Sequence, residues 1–330
     1  MIRVALDVMG GDNAPVSNIR GAILATEADH RVFVKLVGNE ELIREALKNE
    51  QYDATRITVI NASEVIETGE PPVTAIQKKK DSSMVVGLKL LHDGEADAFV
   101  SAGSTGALLV GAQVVAGRLK SVKRSPLAVV IPTTKGKSVL IDGGANVDVR
   151  PENLLQFALM GSLYAKHVLK IDDPKVGLVN IGTEEEKGND LTRDTYPLLK
   201  ASDRLNFIGN AEARDIPFGV ADVYVAEAFT GNIVLKMYEG VAKSLLYEIK
   251  GAIKSSFVSK IGGLLIKKSL KGLVKQFDSS EDGGAPMLGL NGLVVKAHGN
   301  STEIQIKNGI LQCIDFEECD FKSLVQEALS

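Results

Sequence analysis

The 330-residue chain contains no tryptophan and is only 5% aromatic, which leaves few flat faces for stacking bases, and its net charge of −4 offers no cationic excess for a phosphate backbone. These absences argue against nucleic acid as a partner. Cysteine is nearly missing: Cys313 and Cys319 form neither a C-x-x-C pair nor a cluster with histidine, and they read as free thiols of a reducing cytoplasm. No stretch approaches the roughly 20 apolar residues of a membrane span; the longest candidate, Gly106 to Gly117, is interrupted by Gln113. The opening Ile2-Arg-Val-Ala-Leu-Asp7 carries a charge at position 3 and no apolar leader core, so it predicts a strand and a protein that stays inside the cell.

Familiar catalytic signatures are missing as well. There is no G-x-S-x-G elbow, no H-E-x-x-H and no Walker A sequence, and His30, His92, His167 and His298 make no metal cluster. Covalent serine or cysteine enzymes, zinc hydrolases and P-loop NTPases all lose support, and neither a metal nor a cofactor is expected. Met9-Gly-Gly-Asp12 follows the first strand-like run, but a dinucleotide fingerprint would read G-x-G-x-x-G with an acid ending the next strand, where this chain has Leu36-Val37-Gly38-Asn39. A nicotinamide enzyme is thus weakly supported.

What the chain does have is a repeated device. Apolar runs end in small, glycine-rich polar loops: Met9 to Pro15, Ser101-Ala-Gly-Ser-Thr-Gly106, Asp142-Gly-Gly-Ala-Asn146 and Ile181 to Asn189. In open α/β sheets ligands collect beyond the carboxyl ends of the strands, where such loops aim backbone N–H groups at anions. Strand-like runs at 3–8, 32–37, 58–60, 98–101, 127–131, 138–141, 175–180 and 222–225 alternate with helix-length segments, two of them opened by Pro15 and Pro151. The pattern predicts an α/β fold with a mostly parallel sheet covered on both faces, and residues 1–330 as one domain on one continuous sheet.

One segment departs from that rhythm. Between Glu248 and Asp278 there is no acid, and seven lysines from Lys250 to Lys275 interleave with large apolar residues. At about 100° per residue, Phe257, Val258, Ile261, Leu264 and Leu265 share one face, whereas Ile266, Leu270, Leu273, Val274 and Phe277 share another. Two short helices that change direction near Gly262-Gly263 or just beyond are predicted, within a lysine-rich hairpin spanning 250–278. Two readings stand open: a hairpin packed on its own core or a partner subunit, and an interfacial pair that dips its apolar face into an anionic membrane.

The strand-end residues suit holding a small polyanion and stabilising charge during attack at a carbonyl. Phosphate needs little activation, since a phosphate ester already loses its second proton near pH 6. Candidate binding residues are Asp7, Gly10, Gly11, Asp12, Ser101, Gly103, Ser104, Thr105, Gly106, Asp142 and Asn146. Lys187 would supply charge, Asn232 an oxyanion donor and His298 a proton for a leaving thiolate. Asp7 and Asp142 serve equally well as caps of strand-end backbone.

These residues sit in longer motifs. Asp7-Val-Met-Gly-Gly-Asp12, Lys79-Lys80-Asp-Ser-Ser-Met84, Ser101 to Ala107, Asp142 to Asp148, Leu155 to Gly161, Lys187-Gly-Asn189, Phe229-Thr-Gly-Asn232 and Gly283 to Gly289, with His298-Gly299, closely resemble the PlsX family of bacterial acyl-carrier-protein:phosphate acyltransferases. The likeness runs in order along essentially the whole chain. It implies a Rossmann-like fold akin to phosphate acetyltransferases and isopropylmalate-type dehydrogenases, and a homodimer at the inner face of the cell membrane. The implied reaction joins acyl-ACP and inorganic phosphate into acyl phosphate and free acyl carrier protein (ACP), for use by the membrane glycerol-3-phosphate acyltransferase PlsY. It places Lys187 and Asn232 in catalytic motifs and favours the interfacial reading, with Phe257, Val258, Ile261, Leu264, Leu265, Leu270 and Leu273 as the membrane-contacting residues. Three positions depart from the family pattern: Ser104 for asparagine, Ala211-Glu-Ala213 for Val-Glu-Gly, and Glu227-Ala228 for Asp-Gly. The rival readings are an acyl-CoA phosphate acetyl- or butyryltransferase, a nicotinamide-dependent dehydrogenase and a non-catalytic lipid-surface scaffold.

Overall fold

A computed structural model describes residues 1–276 and 283–330, and the chain divides into two compact units. The first comprises Met1–Val129, Lys166–Lys170 and Ser280–Ser330. Its sheet contains β1 (Ile2–Asp7), β2 (Val32–Gly38), β3 (Ile57–Asn61), β4 (Ala98–Ser101), β10 (Ala285–Met287) and β11 (Leu293–Lys296), in the order β10-β11-β4-β1-β2-β3. All neighbours are parallel except β10 with β11. From β1 the chain winds to β2 and β3 on one side, while β4 and β11 lie on the other. The crevice between the ends of β1 and β4 is therefore a topological switch point, the place where such sheets bind ligands.

Helices α1 (Val16–Ala28) and α11 (Glu303–Glu318) pack on this sheet through one core cluster that includes Leu6, Val34, Val100, Ile19, Ile306, Ile310 and Cys313. Each fully buried side chain of this kind contributes about 1.5–3 kcal/mol. A Cβ on Gly21 would lie 2.6 Å from the Ile306 side chain, so only glycine lets the two helices approach this closely. Local sequence sets the helix starts. Asn39 accepts from the backbone N–H of Leu42 to cap α2 (Glu40–Leu47), and Ser82 from Val85 to cap α4 (Ser83–His92).

The second unit, Val130–Ala165 with Ile171–Ser279, is built on a five-stranded sheet of β5 (Ala128–Thr133), β6 (Gly136–Ile141), β9 (Val223–Val225), β7 (Lys175–Asn180) and β8 (Asn206–Glu212), in that spatial order. Strands β6, β9, β7 and β8 run parallel. Helix α6 (Pro151–His167) starts at the predicted proline, and Asn189 caps α7 (Asp190–Lys200).

Mostly parallel sheets with helices on their faces are thus borne out, and all eight predicted strands are present. The strands, however, divide between two sheets instead of forming one. A strand-helix alternation reads the same in either arrangement, because sheet membership is decided by pairing between distant segments. Strands β8, β10 and β11 escaped prediction for local reasons: β8 is interrupted by Gly209 at φ +95°, and β10 and β11 span three and four residues, β10 with a proline.

The lysine-rich segment also holds to expectation in part. Residues 250–254 end the long α8 (Ala228–Lys254), and α9 (Phe257–Leu265) and α10 (Lys267–Gln276) follow, with the break at Ile266, just beyond the glycine pair. Phe257, Val258, Ile261, Leu264 and Leu265 are all exposed, the last at 81%. Leu270 is half-buried. The side chains of Leu273 and Val274, and all of Phe277, lie outside the described residues.

Candidate active site

In the first unit, register places three polar residues in a single row. Lys296 of β11 is opposite Ser101 of β4, and Ser101 is opposite Asp7 of β1, so the three side chains leave the carboxyl edge of the sheet on the same face. Asp7 is 2% exposed. Its Oδ2 accepts from the Ser101 hydroxyl at 2.7 Å, and its Oδ1 accepts from the Ser83 hydroxyl at 2.6 Å and from Met9 N–H at 3.2 Å. Burial raises its pKa above the ordinary carboxylate value, opposed by those same hydrogen bonds. Asp7 therefore ties three elements together from beneath the loops.

The glycines explain how closely those loops meet. A Cβ on Gly10 would lie 2.6 Å from Asp7 Oδ2 and 2.7 Å from Gly103 N, and one on Gly11 (φ +98°) would lie 2.8 Å from Gly299 O. Asp12 N–H donates to Gly299 O at 2.7 Å, and the Asn13 side chain donates to the carbonyls of Asn300 and Ser301 at 3.1 Å. Buried Asn18 holds the loop from below by donating to the carbonyls of Asp7, Val8 and Gly10. The loops after β1, β4 and β11 thus form one cluster that gathers Asp7, Gly10, Gly11, Asp12, Ser101, Gly103 and His298.

Within this cluster the hydroxyls are partly committed. Ser101 serves Asp7, and Ser104 caps α5 (Thr105–Gly111) by accepting from Ala107 N–H at 3.5 Å. Thr105 is exposed, and Gly106 packs near Pro72. His298 is exposed, its carbonyl accepting from Ser301 N–H at 3.1 Å. Lys296 was not anticipated. It is partly buried, and that burial pushes its pKa down to about 8 against the pull of Asp7 and Asp12. The signal available in the sequence is the lysine two residues before His298.

A second cluster lies in the second unit, at the ends of β6 and β9. Asp142 is fully buried, and its carboxylate accepts from the N–H groups of Gly144, Ala145 and Asn146 at 2.8–3.0 Å and from Asn146 Nδ2 at 2.7 Å. Those N–H groups were expected to face an anion; here they shape the loop around Asp142. Asn146 O accepts from Ala228 N–H, and a Cβ on Gly231 would lie only 2.0 Å from Asp142 O, so the first turn of α8 sits directly on the loop. Asn232 follows on that turn, within 4 Å of the space above Gly144. Glu227 caps α8 by accepting from Thr230 N–H at 3.1 Å, so the longer acid does reach the helix end.

Lys187 is exposed in the loop after β7. Asn180 Nδ2 at the strand end donates to its carbonyl at 3.0 Å, and a Cβ on Gly182 would lie 3.0 Å from its Cγ. The candidate residues therefore form two clusters at carboxyl edges, one in each unit. Cys313 is in neither: it is buried, donates to Gly309 O at 3.3 Å, and has its thiol pKa raised by burial.

A family model described as fatty acid synthesis protein matches residues 2–324. A phosphate acyltransferase from Clostridium perfringens is 48% identical over 329 residues, covering 100% of this chain and 97% of its own length. Another from Clostridium tetani is 45% identical, covering 99% of this chain and 98% of its own. Among solved structures, the EutD phosphotransacetylase from Staphylococcus aureus matches with a TM-score of 0.60 at 17% identity, over 95% of this chain and 93% of that one, a likeness of fold. With a model matched along nearly its whole length and full-length relatives almost half identical, the chain belongs to the fatty acid synthesis protein family, the PlsX phosphate acyltransferases.

Proposed function

We propose that the protein transfers an acyl group from acyl carrier protein to inorganic phosphate, giving acyl phosphate and free carrier protein. The observation that carries this reading is the full-length similarity to phosphate acyltransferases, together with glycine-rich loops at the carboxyl ends of parallel strands. The chemistry asks little of a covalent catalyst. A phosphate oxygen attacks the thioester carbonyl, the tetrahedral oxyanion collapses, and the thiolate leaves with a proton. Asn232, on the first turn of α8, is suited to donate to that oxyanion, and the Lys187 ammonium to draw phosphate charge. His298, exposed after β11, is suited to return the proton to sulfur.

The further partners belong to the same reading. ACP is acidic, and Lys120, Lys123 and Arg124 form an exposed basic patch that suits it. Among the described residues no helix is long and apolar enough to cross a membrane. The exposed apolar face of α9, with the exposed Lys267 and Lys268 that open α10, instead supports peripheral attachment to an anionic inner leaflet, beside the glycerol-3-phosphate acyltransferase that consumes the product. Phe229, Ile233, Met237, Val241 and Leu245 form an exposed ridge at four-residue spacing along α8, a surface that supports a homodimer.

The test is release of ACP thiol from palmitoyl-ACP with and without inorganic phosphate, with hydroxylamine to trap acyl phosphate. Phosphate-dependent release with a trapped product is expected. Release indifferent to phosphate overturns the reading, and activity confined to acyl-CoA would install the acetyl- or butyryltransferase alternative.

A further inference from the structure

Lys296 closes the polar row at the edge of the first unit's sheet, and its surroundings distinguish it from an ordinary structural lysine. An ammonium carries three N–H donors. Among the described residues that of Lys296 hydrogen-bonds only to Ala297 O, which leaves two donors without a protein partner. The carboxylates that attract it, Asp7 and Asp12, lie beyond ion-pair distance, and Asp7 is already supplied by Ser83, Ser101 and Met9 N–H. Of the hydroxyls nearby, that of Ser101 donates to Asp7, and Ser104 is oriented as a helix cap by accepting from Ala107 N–H. The flanking loops are kept free of side-chain bulk by Gly10, Gly11, Gly103 and Gly299. A partly buried cation with spare donors, one strand from the switch point and beside loops where Gly10 and Gly11 leave no room for a Cβ, is built to meet a compact anion.

We propose that Lys296 is an anion-binding residue of the acyl-transfer site, its two spare N–H groups taking oxygens of the phosphoryl group that enters as inorganic phosphate and leaves as acyl phosphate. This assignment rests on the acyltransferase reading and gives it a specific cation in the first unit. The row sets the distance: Ser101 fixes Asp7 two strands away, and Asp7 with Asp12 keeps the lysine charged without occupying its donors. The charged groups facing Lys296 are those two acids, while α4 contributes the uncharged Ser83 and β10 pairs Ala285 with it.

The experiment compares wild type, Lys296→Met and Lys296→Arg. The methionine variant should raise KM for phosphate about tenfold or more while KM for acyl-ACP stays within about twofold, and the arginine variant should recover most of the loss. In wild type, kcat/KM for phosphate should fall as the pH passes about 8 and the ammonium loses its proton. In Lys296→Arg that alkaline fall should vanish, since guanidinium stays charged. Equal KM values for phosphate in wild type and the methionine variant, or an alkaline limb that persists with arginine, would overturn the assignment. Calorimetric titration with inorganic phosphate separates it from the enzymatic reading. Binding by wild type that weakens about tenfold in Lys296→Met supports the site even where no acyl transfer is seen. Equal binding by both proteins, or none by wild type, defeats it.

Discussion

The hydroxyl of Ser101 donates to Asp7 Oδ2 over 2.7 Å, joining the last residues of β4 and β1 across the switch point of the first unit. Because Ser83 fills the other carboxylate oxygen, a helix and two strands converge on one buried acid.

That acid predicts an unusual pH dependence of stability. Burial raises the Asp7 pKa above 3.8, its ordinary value, so the folded state keeps a proton that the unfolded chain releases. Stability contributed by this group therefore declines as the pH rises from about 3.8 through the folded pKa. Urea denaturation between about pH 4 and 7 should show a shallower decline for Asp7→Asn than for wild type. Parallel profiles would mean that Asp7 ionises normally.

Gly231→Ala should be among the costliest small substitutions in the second unit. The new Cβ would meet Asp142 O at 2.0 Å, and overpacking of that kind costs about 1–3 kcal/mol. Gly240, on the same helix with open space around it, supplies the control, since its replacement by alanine should stabilise α8 by about 0.5–1 kcal/mol. Chemical denaturation of the two variants decides the matter, and similar midpoints would contradict the packing described.

Lys187→Ala and Asn232→Ala should each lower kcat for acyl phosphate formation by about a hundredfold, the usual loss when one donor to a developing charge is removed. Neither side chain is buried, so thermal unfolding should move little. Activity within about threefold of wild type would remove that residue from the catalytic set.

Replacing Leu264, Leu265 and Leu270 together by glutamate should release the protein from phosphatidylglycerol vesicles while acyl transfer in solution persists. Leu264 and Leu265 are 71% and 81% exposed, so they contribute little to the protein's own core. Undiminished sedimentation with vesicles would assign the hairpin another role.

Charge reversal at Lys120, Lys123 and Arg124 should raise KM for acyl-ACP and leave KM for phosphate unchanged, with the effect shrinking as salt is added. Identical steady-state constants would move the docking surface elsewhere.

Much of this architecture was legible because its signals are local. Eight strands, the prolines that open α1 and α6, and the break between α9 and α10 follow from periodicity and backbone chemistry. Beyond the interrupted β8 and the very short β10 and β11, what escaped depends on segments far apart in sequence. The division into two sheets rests on which strands pair, and Lys296 gains its meaning only from register with Ser101 and Asp7. The readings of Asp7 and Asp142 stay ambiguous for another reason. A strand-end acid bonds a ligand or its own loop with equal ease, and here both accept from backbone N–H groups of the loops that follow them.

Strands β10 and β11 and helix α11 come from the last fifth of the chain, yet they complete the sheet that β1 begins, with Ile306 seated against Gly21. On the ribosome, the first hundred residues emerge without the strand and helix that cover β4 and α1, and must wait for nearly the whole polypeptide. The row of Asp7, Ser101 and Lys296 consequently assembles last, so a nascent chain can display its glycine loops long before it carries the lysine that closes the row.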